Sequence, residues 1–263
     1  MKTYFIGLTA AITLLLSAGA QAELVSVAGG LGVYDTVNNV TWASDANLMK
    51  TQAASYAGGA SAYVAAVIAA SGGVISDTPN GYAPGGIHTL VSSDFDTAYG
   101  HMTWHGAKAW INYLNATNFA GTNQWSLPTT FDAESSAGLP DGADGNPSSS
   151  SSQMAQLFYG NLGLVAGVAI GNTFNSNVLM FSNLLSHAYY SDTAYTFDTA
   201  TYVWAFHAGW GSQGPIHKGG DGAYALAVAP GDIGALSAVP VPGAAWLLGS
   251  GLTALLGLRR RKA

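Results

Sequence analysis

The chain of 263 residues contains no cysteine, and no arginine precedes Arg259. The first absence excludes thiol nucleophiles, cysteine-ligated zinc and iron–sulfur clusters, and it leaves no disulfide to staple the fold. Stability must come from packing, for which a 49% hydrophobic composition is sufficient. The second absence is electrostatic. Lys2, Lys262, Arg259, Arg260 and Arg261 sit at the two ends, so Lys50, Lys108 and Lys218 are the only cations between residues 23 and 238. Against these three lysines stand all 14 acids, from Glu23 to Asp232, which leaves that body near −11. Phosphate recognition depends on clustered Lys and Arg, so no nucleic acid is expected as a partner and anionic membranes are disfavoured.

The ends have a logic of their own. Lys2, an apolar run from Tyr4 to Leu16 and the small-x-small sequence Ala20-Gln21-Ala22 form the pattern of a cleaved secretory signal over 1–22. At the other end an uncharged run, Gly243 to Leu258, is followed at once by Arg259, Arg260, Arg261 and Lys262. Cations beside a membrane segment stay cytoplasmic, so the body is expected outside the inner membrane. At about 1.5 Å per residue the run spans roughly 24 Å, short of a hydrocarbon core of about 30 Å. Gly249, Gly251 and Gly257 weaken the helix further. A transient anchor is expected, with a plain tail anchor as the alternative.

Between these ends the patterning is that of an α+β domain. Residues 31–43 alternate around Asn38-Asn39, which predicts a β-hairpin. Ala-rich sequence from Ala46 to Ala70 predicts one or two helices broken at Gly58-Gly59, and the Gly- and Pro-rich stretch after Gly72-Gly73 to about Tyr99 reads as a long loop or insertion. Ala107, Trp110, Ile111 and Leu114 fall at i, i+3, i+4 and i+7 behind Thr103, a capping residue, and mark the clearest helix. A short strand stopped by Pro128, a Ser/Gly/Asp-rich linker over 135–152 and a second helix from Ser152 follow. Residues 178–233 are aromatic and strand-like, with Gly- and Asp-rich turns. No internal repeat at a period of about 20–50 residues is present, which argues against solenoids and propellers.

Few residues point to catalysis. His101 and His105 are spaced i, i+4 but lack the glutamate of a zincin, so surface or capping roles are expected for them and no metal is called for. There is no G-x-S-x-G elbow. Asp141-Gly142-Ala143-Asp144-Gly145-Asn146 offers oxygen donors but misses the alternating register of a calcium loop. Aromatic side chains are the richer signal, because sugars are gripped by ring faces with a few polar groups beside them. Most of Trp42, Trp104, Trp110 and Trp125 read as core, whereas Trp210, set between glycines, is expected at the surface. His207, Trp210, Gln213 and Asp221 are the candidate ligand-binding residues, the alternative being that they stabilise a long hairpin.

Two resemblances extend this reading. The terminal segment "VPVPGAAWLLGSGL" with its basic tail resembles the PEP-CTERM sorting signal. The match rests on Val239, Pro240, Val241 and Pro242 together with Arg259, Arg260 and Arg261, and Val241 stands where the namesake motif has Glu. It implies recognition by an exosortase, brief residence in the inner membrane of a Gram-negative bacterium, and delivery to the cell surface or exopolysaccharide matrix. The segments "YDTVNNVTWASDAN", "MTWHGAKAWINYLNA", "NQWSLPT", "SQMAQLFYGNLG", "FSNLLSHAYYSDTAY", "VWAFHAGWG" and "AYALAVAPGD", taken in order, resemble the Lcl C-terminal domain family. That family implies a C-type-lectin-like extracellular domain over 23–234, with an insertion at about 60–100, no enzymatic activity, no cofactor, and binding to extracellular polysaccharide. Ser126, Gln153 and Ala229 stand where relatives carry Arg, Glu and Arg. Removing one partner of a buried ion pair costs about 3–5 kcal/mol while neutral replacement of the whole set can be free, so their joint loss implies that these positions are neighbours. The expected function is therefore that of an exported, non-enzymatic surface or matrix protein. A purely structural matrix component is the first alternative and an exported hydrolase the second.

Overall fold

The computed structural model describes residues 24–130, 152–168, 170, 173, 175–220 and 222–236. The expected signal at 1–22, the linker of 135–152 apart from Ser152, the acidic loop 141–146, Asp221 and the sorting segment 239–263 lie outside the described residues.

The chain folds as an α+β domain. Strands β1 (Leu24–Val27), β2 (Gly32–Asp35) and β3 (Val40–Ala43) form an antiparallel meander, and the closing strand β9 (Val228–Pro230) pairs with β3. The β2–β3 turn forms where alternation breaks at Asn38-Asn39. Asn39 takes a positive φ of 53°, and the Asp35 carboxylate accepts hydrogen bonds from the Val37 and Asn38 amides. Trp42 faces inward and is buried. Pro230 is tolerated in β9 because it lies at the strand's end.

Helices α1 (Leu48–Ser55) and α2 (Gly59–Ala70) follow, separated at Gly58 as the sequence predicts. They meet at 119°, and among the described residues no single helix is long and apolar enough to cross a membrane. Helix α3 (Trp104–Ala116) starts where Thr103 Oγ1 accepts the Gly106 amide, and it buries Ala107, Trp110, Ile111 and Leu114 in one core with Tyr63, Val64 and Val67 of α2. Each large apolar side chain removed from water in this way contributes about 1.5–3 kcal/mol. The expected second helix is short. It comprises α4 (Gln153–Ala155), capped by Ser152, and a π-helical continuation over Gln156–Asn161 that buries Leu157, Phe158 and Asn161.

Two sequence expectations need correction. The stretch after Gly72-Gly73 is not one long loop, since β4 (Val74–Ser76) and β5 (Ile87–Thr89) pair as a hairpin within it. Only three residues form each strand, too few to show alternation against flanking glycines and prolines. The region from 178 is likewise not strand from its start. Val178–Met180 is a 3₁₀ turn, and β6 (Ala188–Ala194), β7 (Tyr202–His207) and β8 (Ser212–His217) form a three-stranded antiparallel sheet in that order.

Short bridges tie the parts together. Ser126 bridges Val228 on the side of β9 away from β3, through amide bonds of 2.8 and 3.0 Å. Three residues on, Thr129 exchanges hydrogen bonds with Gln153. The strand after Trp125, the start of α4 and the closing strand therefore converge. Met102 bridges Ala223 and Tyr189 bridges Tyr224, so segment 223–224 lies between the loop ahead of α3 and sheet β6–β7–β8.

Candidate functional site

The β7–β8 hairpin carries three of the four candidate residues. His207 pairs with Ser212 across the strands, and the turn between them closes through the Trp210 and Gly211 amides donating to the His207 carbonyl at 3.0 and 2.8 Å. Gly211 allows this turn because it adopts a φ of +68°, and a Cβ there would collide with the Tyr159 hydroxyl. The same hydroxyl donates to the Gly211 carbonyl and anchors the turn to the π-helical segment. Held this way, the indole of Trp210 lies flat on the imidazole of His207, with centroids 3.9 Å apart and planes 10° from parallel. One face of Trp210 is covered and the other faces solvent, so the residue is 67% exposed.

Beside this stack lies a cleft of about 200 Å³ lined by His207, Trp210, Ser212, Gln213, Pro215 and Ile216 over a floor of small residues. Ala188 of β6, Ala205 of β7 and Gly214 of β8 form that floor, the last two as a cross-strand pair. Pockets that engulf a small molecule measure ~300–1,000 Å³, so this cleft suits a ligand lying on the surface with one face in contact. Gln213 is a wall of the cleft and is itself buried, its amide oxygen accepting the Thr130 hydroxyl. Asp221 lies outside the described residues. His207 Nδ1 is 3.2 Å from the Gly209 amide and accepts from it. Burial, and then the neighbouring His187, hold the His207 imidazole below the ordinary histidine range, so it is neutral at pH 7.

A second constellation was not legible in the sequence. Lys218 is buried, and its Nζ donates to Asp77 and, at 2.7 Å, to the Thr199 carbonyl. The other Asp77 oxygen receives His105 Nε2 at 3.0 Å, and His105 stacks on His88 at 4.0 Å. His88 Nε2 in turn meets Asp94, which also accepts the Thr103 hydroxyl. His105 is thus neither a surface nor a capping histidine. The i, i+4 spacing with His101 misleads because His101 lies ahead of α3, while His105 points from its first turn into the charged interior. Burial alone would raise the Asp77 carboxyl, but hydrogen bonds from Lys218, His105 and Asn80 outweigh it and hold the group below the usual carboxylate range. For His105 burial wins over the Asp77 bond and lowers its pKa.

This network contains acids and bases in the proportions of a catalytic site, yet the side chains of His105, Asp77 and Lys218 are 0%, 4% and 2% exposed. Through these contacts the buried side chains link the β4–β5 hairpin, α3 and the end of β8 to one another. Among the described residues no group of three or more His, Asp or Glu could hold a metal ion.

Comparison with known protein families, with curated proteins and with solved structures gives no match.

Proposed function

We propose that this chain is an exported, non-enzymatic protein of the cell surface or exopolysaccharide matrix, and that the β7–β8 hairpin binds carbohydrate. The observation that carries the reading is Trp210, whose open indole face is fixed by His207 stacking above a shallow cleft. Aromatic faces of this kind take the C–H face of a sugar ring, and the neighbouring Ser212 supplies a hydroxyl for orientation. The C-type-lectin-like arrangement is part of the proposal. It is supported by the pairing of the N-terminal meander with closing strand β9 and by the separate three-stranded sheet that carries the cleft. Sorting by an exosortase through 239–263, with passage through the inner membrane, is proposed on the sequence pattern alone.

Screening the full-length protein against an array of neutral and acidic glycans tests this function. Binding to a defined glycan that is lost in Trp210→Ala supports it. Wild-type protein that retains no glycan supports the purely structural alternative.

A further inference from the structure

Trp210 is one end of a longer feature. Its partner His207 lies 6.4 Å from His187, His187 lies 5.6 Å from Tyr224, and Tyr224 lies 5.9 Å from His101. His101 then stacks on Tyr99 at 5.8 Å with planes 5° apart. Six rings form an unbroken row, and its two ends are built alike. Each is an exposed aromatic ring laid parallel on a half-buried histidine, with Trp210 67% and Tyr99 65% exposed. Between them His187 is exposed and Tyr224 is the buried ring beneath.

The row follows from the strand pairing. Ala188, next to His187, pairs with His207, and the Tyr224 amide donates to the Ala188 carbonyl at 2.9 Å. Ala223, next to Tyr224, bridges Met102, which adjoins His101. His207, His187, Tyr224 and His101 therefore sit on neighbouring extended segments, and the row runs across them in steps of 6.4, 5.6 and 5.9 Å.

We infer that this row is a binding strip for an extended, uncharged polysaccharide chain, running from the Trp210 cleft to a second platform at Tyr99. The inference rests on the carbohydrate reading of the Trp210 cleft and goes beyond it in length and ligand class. Charge selects the class. Of the three lysines in the body, Lys108 is bound to Asp192 and Lys218 to Asp77, while Lys50 is on α1. At the Tyr99 end an acidic group stands beside the row, for Asp96 Oδ2 lies 3.7 Å from His101 Nε2. With the body near −11, a polyanion meets net repulsion here. Open ring faces at Trp210 and Tyr99, with the exposed His187 between them, match a neutral sugar chain, which presents C–H faces and hydroxyls by turns.

The test is calorimetric titration of full-length protein with neutral glucan, mannan and galactan oligosaccharides, each as disaccharide, tetrasaccharide and hexasaccharide, beside an oligouronate hexasaccharide. The expected result is a Kd for one neutral series that tightens by at least about tenfold from disaccharide to hexasaccharide. Tyr99→Ala should cancel that gain with length, Tyr99→Phe should keep it, and Trp210→Ala should weaken every length. Equal affinity at all lengths, or an unchanged hexasaccharide Kd in Tyr99→Ala, overturns the strip while leaving the cleft. Preference for the oligouronate overturns the ligand class. Absence of binding to every neutral series overturns both strip and cleft.

Discussion

Replacing Lys218 by Met keeps the length and apolar stem of the side chain and deletes one charge from the interior. Lys218 Nζ is bonded to Asp77 and to the Thr199 carbonyl, and it lies 5.0 Å from the centre of the Trp104 ring. Without it, the Asp77 carboxylate stays buried with His105 and Asn80 as its remaining side-chain donors. Breaking a buried pair by removing one partner costs about 3–5 kcal/mol, and for a body of this size that lowers Tm by roughly 6–20 °C. Urea denaturation should show a lower midpoint with an unchanged slope. Adding Asp77→Asn to the variant should recover part of the loss, because the uncompensated charge is then gone. The loss should also depend on pH. In the variant, Asp77 can recruit a proton onto His105 to replace the missing cation, so the deficit should be smaller at about pH 5.5 than at about pH 8. A deficit under about 1 kcal/mol, or one equal at both pH values, refutes the assignment of the network as a structural clamp.

The unmodified protein should lose stability as pH falls below about 6.5, because burial depresses both His105 and His207. Groups depressed in the fold contribute fully above their unfolded value and lose that contribution as pH drops through the folded one; a Tm flat from pH 7 to about 5 would contradict this. Asp77 adds a second decline in the acid range, below the ordinary carboxylate value. Gly100→Ala should cost at least about 2 kcal/mol in denaturant, since φ is +96° there and a Cβ would fall 1.8 Å from Asn47 Oδ1; wild-type stability would show that loop 96–102 yields freely. Ser126→Arg should destabilise, and Gln153→Glu added to it should recover part of the loss, with additivity in the cycle disproving that the two positions are coupled.

Local signals carried most of the secondary structure into the sequence. The hairpin at Asn38-Asn39, the break at Gly58 and the Thr103 cap depend on residues within a few positions of each other, and each stands where it is expected. Trp42, Trp104, Trp110 and Trp125 are core as their surroundings suggest, and Trp210 is exposed between its glycines. The β4–β5 hairpin was obscured by brevity, and the Val178 turn by apolar composition without alternation. Long-range chemistry was beyond reach. Asp77 and Lys218 are 141 positions apart, and nothing near either one announces a buried partner. The only cue was scarcity, three lysines in the body, one of them among the aromatic strands. His187, Tyr224 and Tyr99 escaped notice for the same reason, because their row exists only once separate strands and bridges are aligned.

The central claim is that the open face of Trp210 holds a sugar, and calorimetry of Trp210→Ala and Trp210→Phe against the best glycan from the array tests it most directly. Since Trp210 is mostly exposed, both variants should keep Tm within a few degrees of the parent. Trp210→Ala should weaken binding by at least about tenfold and Trp210→Phe, which keeps a ring face, by less. Equal affinity in all three proteins would contradict the account.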